Sequence, residues 1–228
     1  MRIEKWLSDV TDYTRSEIKN LLKNNRVYIN GRLYDETIKY NEFNSLRIDG
    51  IDYATDKYVY IMLNKPQGYI TSNKDELYPS VFNLIDVPRK NLIAYGRLDV
   101  DTEGLLVLSD NHKLCHELLA PKKHVFKKYL VQVDKQLEPN LIDIFKQGFS
   151  IGEDKNTLPS KLEIIDNFTC YLTISEGKFH QVKRMFKTNG YNVIFLKRVS
   201  FKNIILDEKL KPSQWRFLSS DEINDLIN

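Results

Sequence analysis

The chain has 228 residues, 42% of them hydrophobic, and a formal net charge of +3. That length can bury a real core in one or two domains, and the apolar share excludes wholesale disorder. No run approaches the roughly eighteen apolar residues of a membrane span. The start, Met1-Arg2-Ile3-Glu4-Lys5-Trp6, carries an early acid and no apolar stretch, so it does not read as a signal peptide. Cys115 and Cys170 form no metal or redox spacing, and a reducing, cytoplasmic location is expected. So small a net charge says little about partners, and its distribution matters more.

Residues 1–57 read as a separate module ending in a linker. Ile3, Trp6, Leu7 and Val10 recur at helical spacing. Thr14-Arg15-Ser16-Glu17 is a capping box opening a second helix, which buries Ile18, Leu21 and Leu22 and ends at Asn24-Asn25. Val27-Tyr28-Ile29 leads into Asn30-Gly31, a type I′ hairpin signal, and Ser45–Ile48 is a strand closed by Asp49-Gly50. Arg15, Lys19, Lys23 and Arg26 recur at steps of three or four and share one helix face. Such a face is usually only solvated. Residues 52–57 are polar and read as the linker.

The second part, 58–228, opens with a strand over 58–63, running into Lys65-Pro66-Gln67-Gly68, where the turn presents Lys65. A polar, turn-rich segment over 72–90 follows. Gly96-Arg97-Leu98-Asp99-Val100-Asp101-Thr102-Glu103-Gly104 then sits between two apolar segments, with glycines permitting turns at both ends. Three carboxylates and a guanidinium there are costly to place for stability alone. His112–Leu119 reads as a helix, residues 121–128 are densely basic, and 129–133 is a strand with Lys127, Tyr129 and Val131 on one face.

Leu137–Phe149 reads as a helix with an apolar stripe of Leu141, Ile142 and Phe145. Residues 161–165 and 169–174 are strands joined by a short turn. Phe179–Phe186 reads as a helix that packs Phe179, Val182 and Phe186 inward, with Gly190 ending it. Strands follow over 191–206, and Ser219-Ser220-Asp221-Glu222 caps a terminal helix.

Four motifs in order carry a resemblance: Lys65–Gly68, Gly96–Gly104, Lys127-Lys128-Tyr129-Leu130-Val131, and Glu176-Gly177-Lys178-Phe179-His180-Gln181-Val182-Lys183-Arg184-Met185-Phe186. The chain resembles the pseudouridine synthases, in the branch whose first fifty-odd residues form an S4 RNA-binding module. The resemblance implies an α+β protein: a small α/β S4 module (1–57), then a catalytic domain (58–228) with a mixed, largely antiparallel sheet and a cleft rimmed by basic segments 121–128, 178–187 and 197–202. It implies an isomerase that cleaves the N1–C1′ bond of a uridine in RNA and rejoins the base through C5, with no cofactor or metal. By motif position Asp99, Tyr129 and Lys183 are the catalytic residues, with Arg184 the second choice as cationic partner of Asp99. Arg15, Lys19, Lys23, Arg26, Arg97 and Arg184 are RNA-binding. A carboxylate at Asp99 can attack C1′ or take the C2′ proton, and the sequence does not choose. Tyr129 can stack on the flipped uracil. The segment His180–Phe186 resembles that of the 16S rRNA enzymes, which implies a monomer acting on 16S rRNA, away from any membrane.

Rival readings remain. A 23S rRNA target belongs to the same branch. A non-catalytic rRNA-binding assembly factor would keep the fold. A Mg²⁺ site could be built from Asp99, Asp101, Glu103 and Asp110. His112, Cys115 and His116 suggest a zinc fragment but lack a fourth ligand, so a helix surface is the better reading.

Overall fold

The computed structural model describes residues 2–38, 43–75 and 77–228. The chain divides into two compact units: Met1–Val59 with Asp86–Ile93 and Ser109–Asn111, and a larger one holding Tyr60–Ile85, Ala94–Leu108 and His112–Asn228.

In the first unit, helices α1 (Ile3–Val10) and α2 (Arg15–Lys23) pack on strands β1 (Val27–Ile29), β2 (Arg32–Leu33), β3 (Leu46–Ile48) and β4 (Ile51–Tyr53). The sheet order is β2-β1-β3-β4, all antiparallel. Its core joins Trp6, Leu7 and Val10 of α1 to Ile18 and Leu21 of α2 and to the inward residues of the strands. The capping box forms as expected: Glu17 N donates to Thr14 Oγ1 at 3.3 Å and Thr14 N donates to Glu17 Oε2 at 2.7 Å. Asn30-Gly31 and Asp49-Gly50 both have positive φ at two successive residues, which matches the strand twist across each two-residue hairpin. The expected linker over 52–57 begins too early. Tyr53, only 7% exposed, is pulled into the core, and this extends the sheet by β4.

Two later segments return to this unit, and Arg89 holds them. Its guanidinium is buried, donates to the carbonyl of Asp9 at 2.9 Å and to that of Asp56, and pairs with Asp110 at 3.2 Å. Burial pulls the Arg89 pKa down, with Asp110 opposing.

The second unit is built on a nine-stranded sheet. Its elements are β5 (Tyr60–Lys65), β6 (Ile93–Ala94), β7 (Glu103–Ser109), α3 (His112–Leu119), β8 (Lys127–Val133), α4 (Leu141–Gln147), β9 (Lys161–Ile164), β10 (Thr169–Ile174), α5 (Gln181–Thr188), β11 (Val193–Phe201), β12 (Ile204–Ile205), β13 (Trp215–Phe217) and α6 (Ser220–Ile227). The main order is β13-β5-β7-β11-β8-β10-β9. Of the strand pairings with a defined register, only β7 with β11 is parallel, so the sheet is mixed and largely antiparallel as expected. The central strands are covered on both faces: every residue from Gly104 to Ser109 is buried.

Two helix boundaries differ from the expectation. The helix expected over 137–149 is only Leu141–Gln147, because Gly148 turns out at φ +72 against the carbonyl of Thr157, and Ile142 faces solvent. The helix expected from Phe179 starts at Gln181. His180 takes a left-handed φ of +47, and Phe179 points out rather than in.

Candidate active site

The Gly96–Gly104 loop is fixed from three sides. Gly104 has φ +102 and is paired with Arg198 across the parallel β7–β11 contact. A Cβ there would stand 2.2 Å from the Arg198 carbonyl oxygen, so only glycine lets the two backbones meet. From below comes Lys65. Rather than being presented at a turn, its side chain is fully buried, and its ammonium donates to the carbonyls of Thr102 (2.8 Å), Asp99 (2.9 Å) and Pro66 (3.0 Å), with Val100 at 3.5 Å. A loop that turns its carbonyls inward needs donors, and one ammonium supplies three. Gly68 N adds a bond to Val100 O at 2.8 Å, and Thr71 Oγ1 donates to Leu98 O at 3.1 Å. The Lys-Pro-Gln-Gly segment is therefore the cradle of the loop. Burial lowers the Lys65 pKa to about 8, with Asp101, Asp99 and Glu103 opposing.

Held this way, the loop turns two carboxylates toward α5. Lys183 Nζ lies 3.2 Å from Asp99 Oδ2 and 2.5 Å from Asp101 Oδ1. Asp99 is therefore paired with the cation that its motif position implied, and Asp101 shares the same ammonium. Burial pushes the Asp101 pKa up, but the hydrogen bond and charge of Lys183 outweigh it and leave the group below its ordinary value. The imidazole Nε2 of His180 is 3.6 Å from Asp99 Oδ1.

Tyr129 comes from β8 and is 7% exposed. Its cross-strand partner in β11 is Arg198, whose guanidinium charge acts on the phenol. Arg198 Nε also donates to Leu105 O at 2.7 Å, and Nη2 lacks a protein partner. Burial raises the Tyr129 pKa, Arg198 opposes that by charge and hydrogen bond, and Asp99 adds to it. The phenol thus lies within the electrostatic reach of Asp99, next to a buried cation. Burial lowers the Arg198 pKa. This residue was expected on a basic rim. It is instead 1% exposed and lies under the loop, so the segment 197–202 does not present it. Lys127, on the same strand face as Tyr129, is likewise drawn inward, and burial lowers its pKa to about 8.

The remaining candidates fall into two groups. Arg15, Lys19 and Lys23 line the exposed side of α2, and Arg97 is exposed beside Asp99. Arg26 is exposed but makes a two-pronged pair with Asp49. Arg184 is engaged by Glu153 at 2.5 Å and by the carbonyls of Ile151 (2.5 Å) and Phe179 (3.1 Å), so it braces the start of α5. The Mg²⁺ reading fails on geometry: Asp99 and Asp101 serve Lys183, Asp110 serves Arg89, and no three metal-ligating groups converge among the described residues. Cys115 is turned inward with its thiol toward Ala94 O at 3.7 Å while His112 and His116 face out, so the zinc fragment is a helix surface.

The structural roles of Lys65, His180 and Arg198 were not read from the sequence. Only Lys65 gave a signal, as a lysine at the end of an apolar strand.

A paired carboxylate and ammonium beside a phenol suit chemistry on an organic ring and its sugar. The similarities agree. A family model described as RNA pseudouridylate synthase matches residues 59–188. A ribosomal small subunit pseudouridine synthase A from Haemophilus influenzae is 38% identical with full coverage of both chains. An uncharacterized RNA pseudouridine synthase from Aquifex aeolicus is 36% identical over 99% of this chain and 96% of its own. A crystal structure of a pseudouridylate synthase superposes with a TM-score of 0.72 at 36% identity, covering both chains completely. With a family match over more than half its length and relatives matched from end to end, the chain belongs to the RNA pseudouridylate synthases and is an RNA uridine isomerase.

Proposed function

We propose that this enzyme converts a uridine of 16S ribosomal RNA to pseudouridine, with Asp99 as the reacting carboxylate. The observation that carries the assignment of Asp99 is its 3.2 Å pairing with Lys183 on a loop whose backbone is stapled by Lys65. A carboxylate held beside a cation can open the reaction either by attack at C1′ or by removal of the C2′ proton. Tyr129 stacks on the extruded uracil, and its phenol, beside Arg198, serves the proton that leaves C5. Lys183 holds Asp99 in position. The full-length relatives named for the small ribosomal subunit support the 16S target.

The first unit acts as an S4 RNA-binding domain. Arg15, Lys19, Lys23 and Arg26 meet phosphates there, and Arg97 and Arg184 bind RNA beside the site. The enzyme acts as a monomer in the cytoplasm, where its substrate is made. No helix among the described residues is long and apolar enough to cross a membrane.

The deciding experiment incubates the purified protein with 16S and 23S rRNA transcripts and maps pseudouridine in each. The expected result is one modified position in 16S rRNA, none in 23S rRNA, and none in either with Asp99→Asn. Modification of 23S rRNA alone would overturn the target, and an active Asp99→Asn enzyme would overturn the assigned carboxylate.

A further inference from the structure

Phe179 is 73% exposed although it sits in the motif that delivers Lys183 to Asp99. Its ring stacks on His180 with centroids 3.8 Å apart and planes 19° apart, and His180 Nε2 in turn lies 3.6 Å from Asp99 Oδ1. The turn that holds the ring out is braced on each side. Lys178 Nζ donates to the carbonyls of Lys155 (2.5 Å) and Asn156 (3.2 Å), and Lys178 N donates to Gln181 Oε1 (2.9 Å). Gln181 Nε2 donates to Glu176 Oε1 (2.8 Å), and Arg184 Nη1 donates to Phe179 O (3.1 Å). His180 at φ +47 is the bend that turns the ring outward. A phenyl ring left in water forfeits its burial free energy, and here a braced, left-handed turn keeps it there.

We propose that Phe179 is a stacking subsite for an unpaired base of the substrate RNA, next in sequence to the uridine that reaches Asp99. The proposal rests on the RNA-isomerase reading above and extends it to a second nucleotide. One face of the ring is taken by His180, and a base on the open face continues a stack that ends at Asp99. Flipping a uridine breaks its stacking on a neighbour, and an aromatic face beside the site compensates that neighbour without reading its identity.

The test uses the full chain carrying Phe179→Leu, which removes the ring and keeps apolar bulk, and Phe179→Trp, which keeps a stacking face. Turnover is read on 16S and 23S rRNA transcripts. Affinity for the same transcripts is read in an Asp99→Asn background, where nothing is converted. Phe179→Leu is expected to weaken binding or kcat/KM by about 5- to 150-fold, the range of one base stack. Phe179→Trp recovers most of that loss, and the melting temperature stays within about 1 °C of the parent, since the ring is exposed. A Phe179→Leu enzyme that binds and turns over like the parent overturns the subsite, as does a Trp variant as impaired as Leu. The second outcome would fit a protein contact instead. If the parent converts no uridine, the functional reading fails, while the binding comparison still decides whether Phe179 contacts RNA.

Discussion

Lys65 donates to the backbone carbonyl of Asp99 at 2.9 Å across 34 residues of chain, and the same ammonium holds Thr102 O at 2.8 Å. The loop that presents the reacting carboxylate is therefore positioned through its main chain, leaving the Asp99 side chain to Lys183. Replacing Lys65 by Met should leave several buried carbonyls without a donor, at about 1–3 kcal/mol each before relaxation. A fall in melting temperature together with a fall in kcat is expected. A variant that melts and turns over like the parent would show that the loop holds itself.

The same lysine gives a pH signature. Its folded pKa of about 8 lies below the ordinary lysine value of 10.5. Between those values the unfolded chain holds the proton and the folded one does not, so raising the pH favours folding. The parent should therefore gain stability relative to Lys65→Met as pH rises from 8 toward 10. Urea midpoints of the two proteins across that range measure it, and a difference that shrinks with pH would contradict the buried charge.

Asp99→Asn should lower isomerisation by about 10³-fold or more, since a neutral amide neither attacks C1′ nor takes a proton. The protein should still fold. Lys183 keeps Asp101 at 2.5 Å, so its charge is not stranded by the change. Circular dichroism and RNA affinity like the parent's, with product formation lost, is the expected pattern.

Lys183→Met removes the cation from both carboxylates. Asp101, now held below its ordinary value by Lys183, should titrate higher in the variant. A depressed carboxylate contributes stability above its unfolded pKa and loses it as pH falls through the folded one. The variant should lack that acid-sensitive contribution and lose about 10²-fold in activity, part of it recovered by Lys183→Arg. Carboxyl NMR titrations of parent and variant measure the Asp101 shift.

How much of this was legible depends on whether the partner was a side chain or the backbone. The Thr14–Glu17 and Ser219–Glu222 boxes and the two Asx-Gly turns are local codes, and all four formed. The pairing of Asp99 with Lys183 followed from motif position. The partners of Lys65 could not be read, because they are carbonyls and every residue has one. Arg198 was misplaced because strand alternation reports burial only when one face is open, and β11 is covered beside β7 and β8. Phe179 fell on the helical period with Val182 and Phe186, but the left-handed His180 breaks that period before the helix begins.

The two glycines that bracket the loop should differ in tolerance. Gly104→Ala drives a methyl to 2.2 Å from the Arg198 carbonyl, and with φ at +102 neither strand can yield without opening the β7–β11 contact. Gly96→Ala meets Leu119 Cδ2 at 3.6 Å and Arg198 Nη1 at 3.9 Å, both ordinary contacts, so its cost is that of a left-handed alanine, about 1–2 kcal/mol. Denaturant melts should rank Gly104→Ala as the more damaging by about 2 kcal/mol or more. Equal costs would show that backbone conformation, and not the approach of Arg198, sets the requirement.

The exposed face of α2 offers a test that is independent of catalysis. Lys19 and Lys23 are exposed and one helical turn apart, whereas Arg26 shares its guanidinium with Asp49. If the free ammonium groups meet phosphates, each releases counterions, and the plot of log affinity against log salt loses about 0.7–0.9 of slope per residue removed. Lys19→Ala with Lys23→Ala should flatten the slope by about 1.5 and raise the KM for rRNA, with kcat on saturating RNA near the parent value. Arg26→Ala should flatten it less, because part of its charge is already neutralised. An unchanged slope in the double variant would remove α2 from the RNA surface and leave binding to the cations of the second unit.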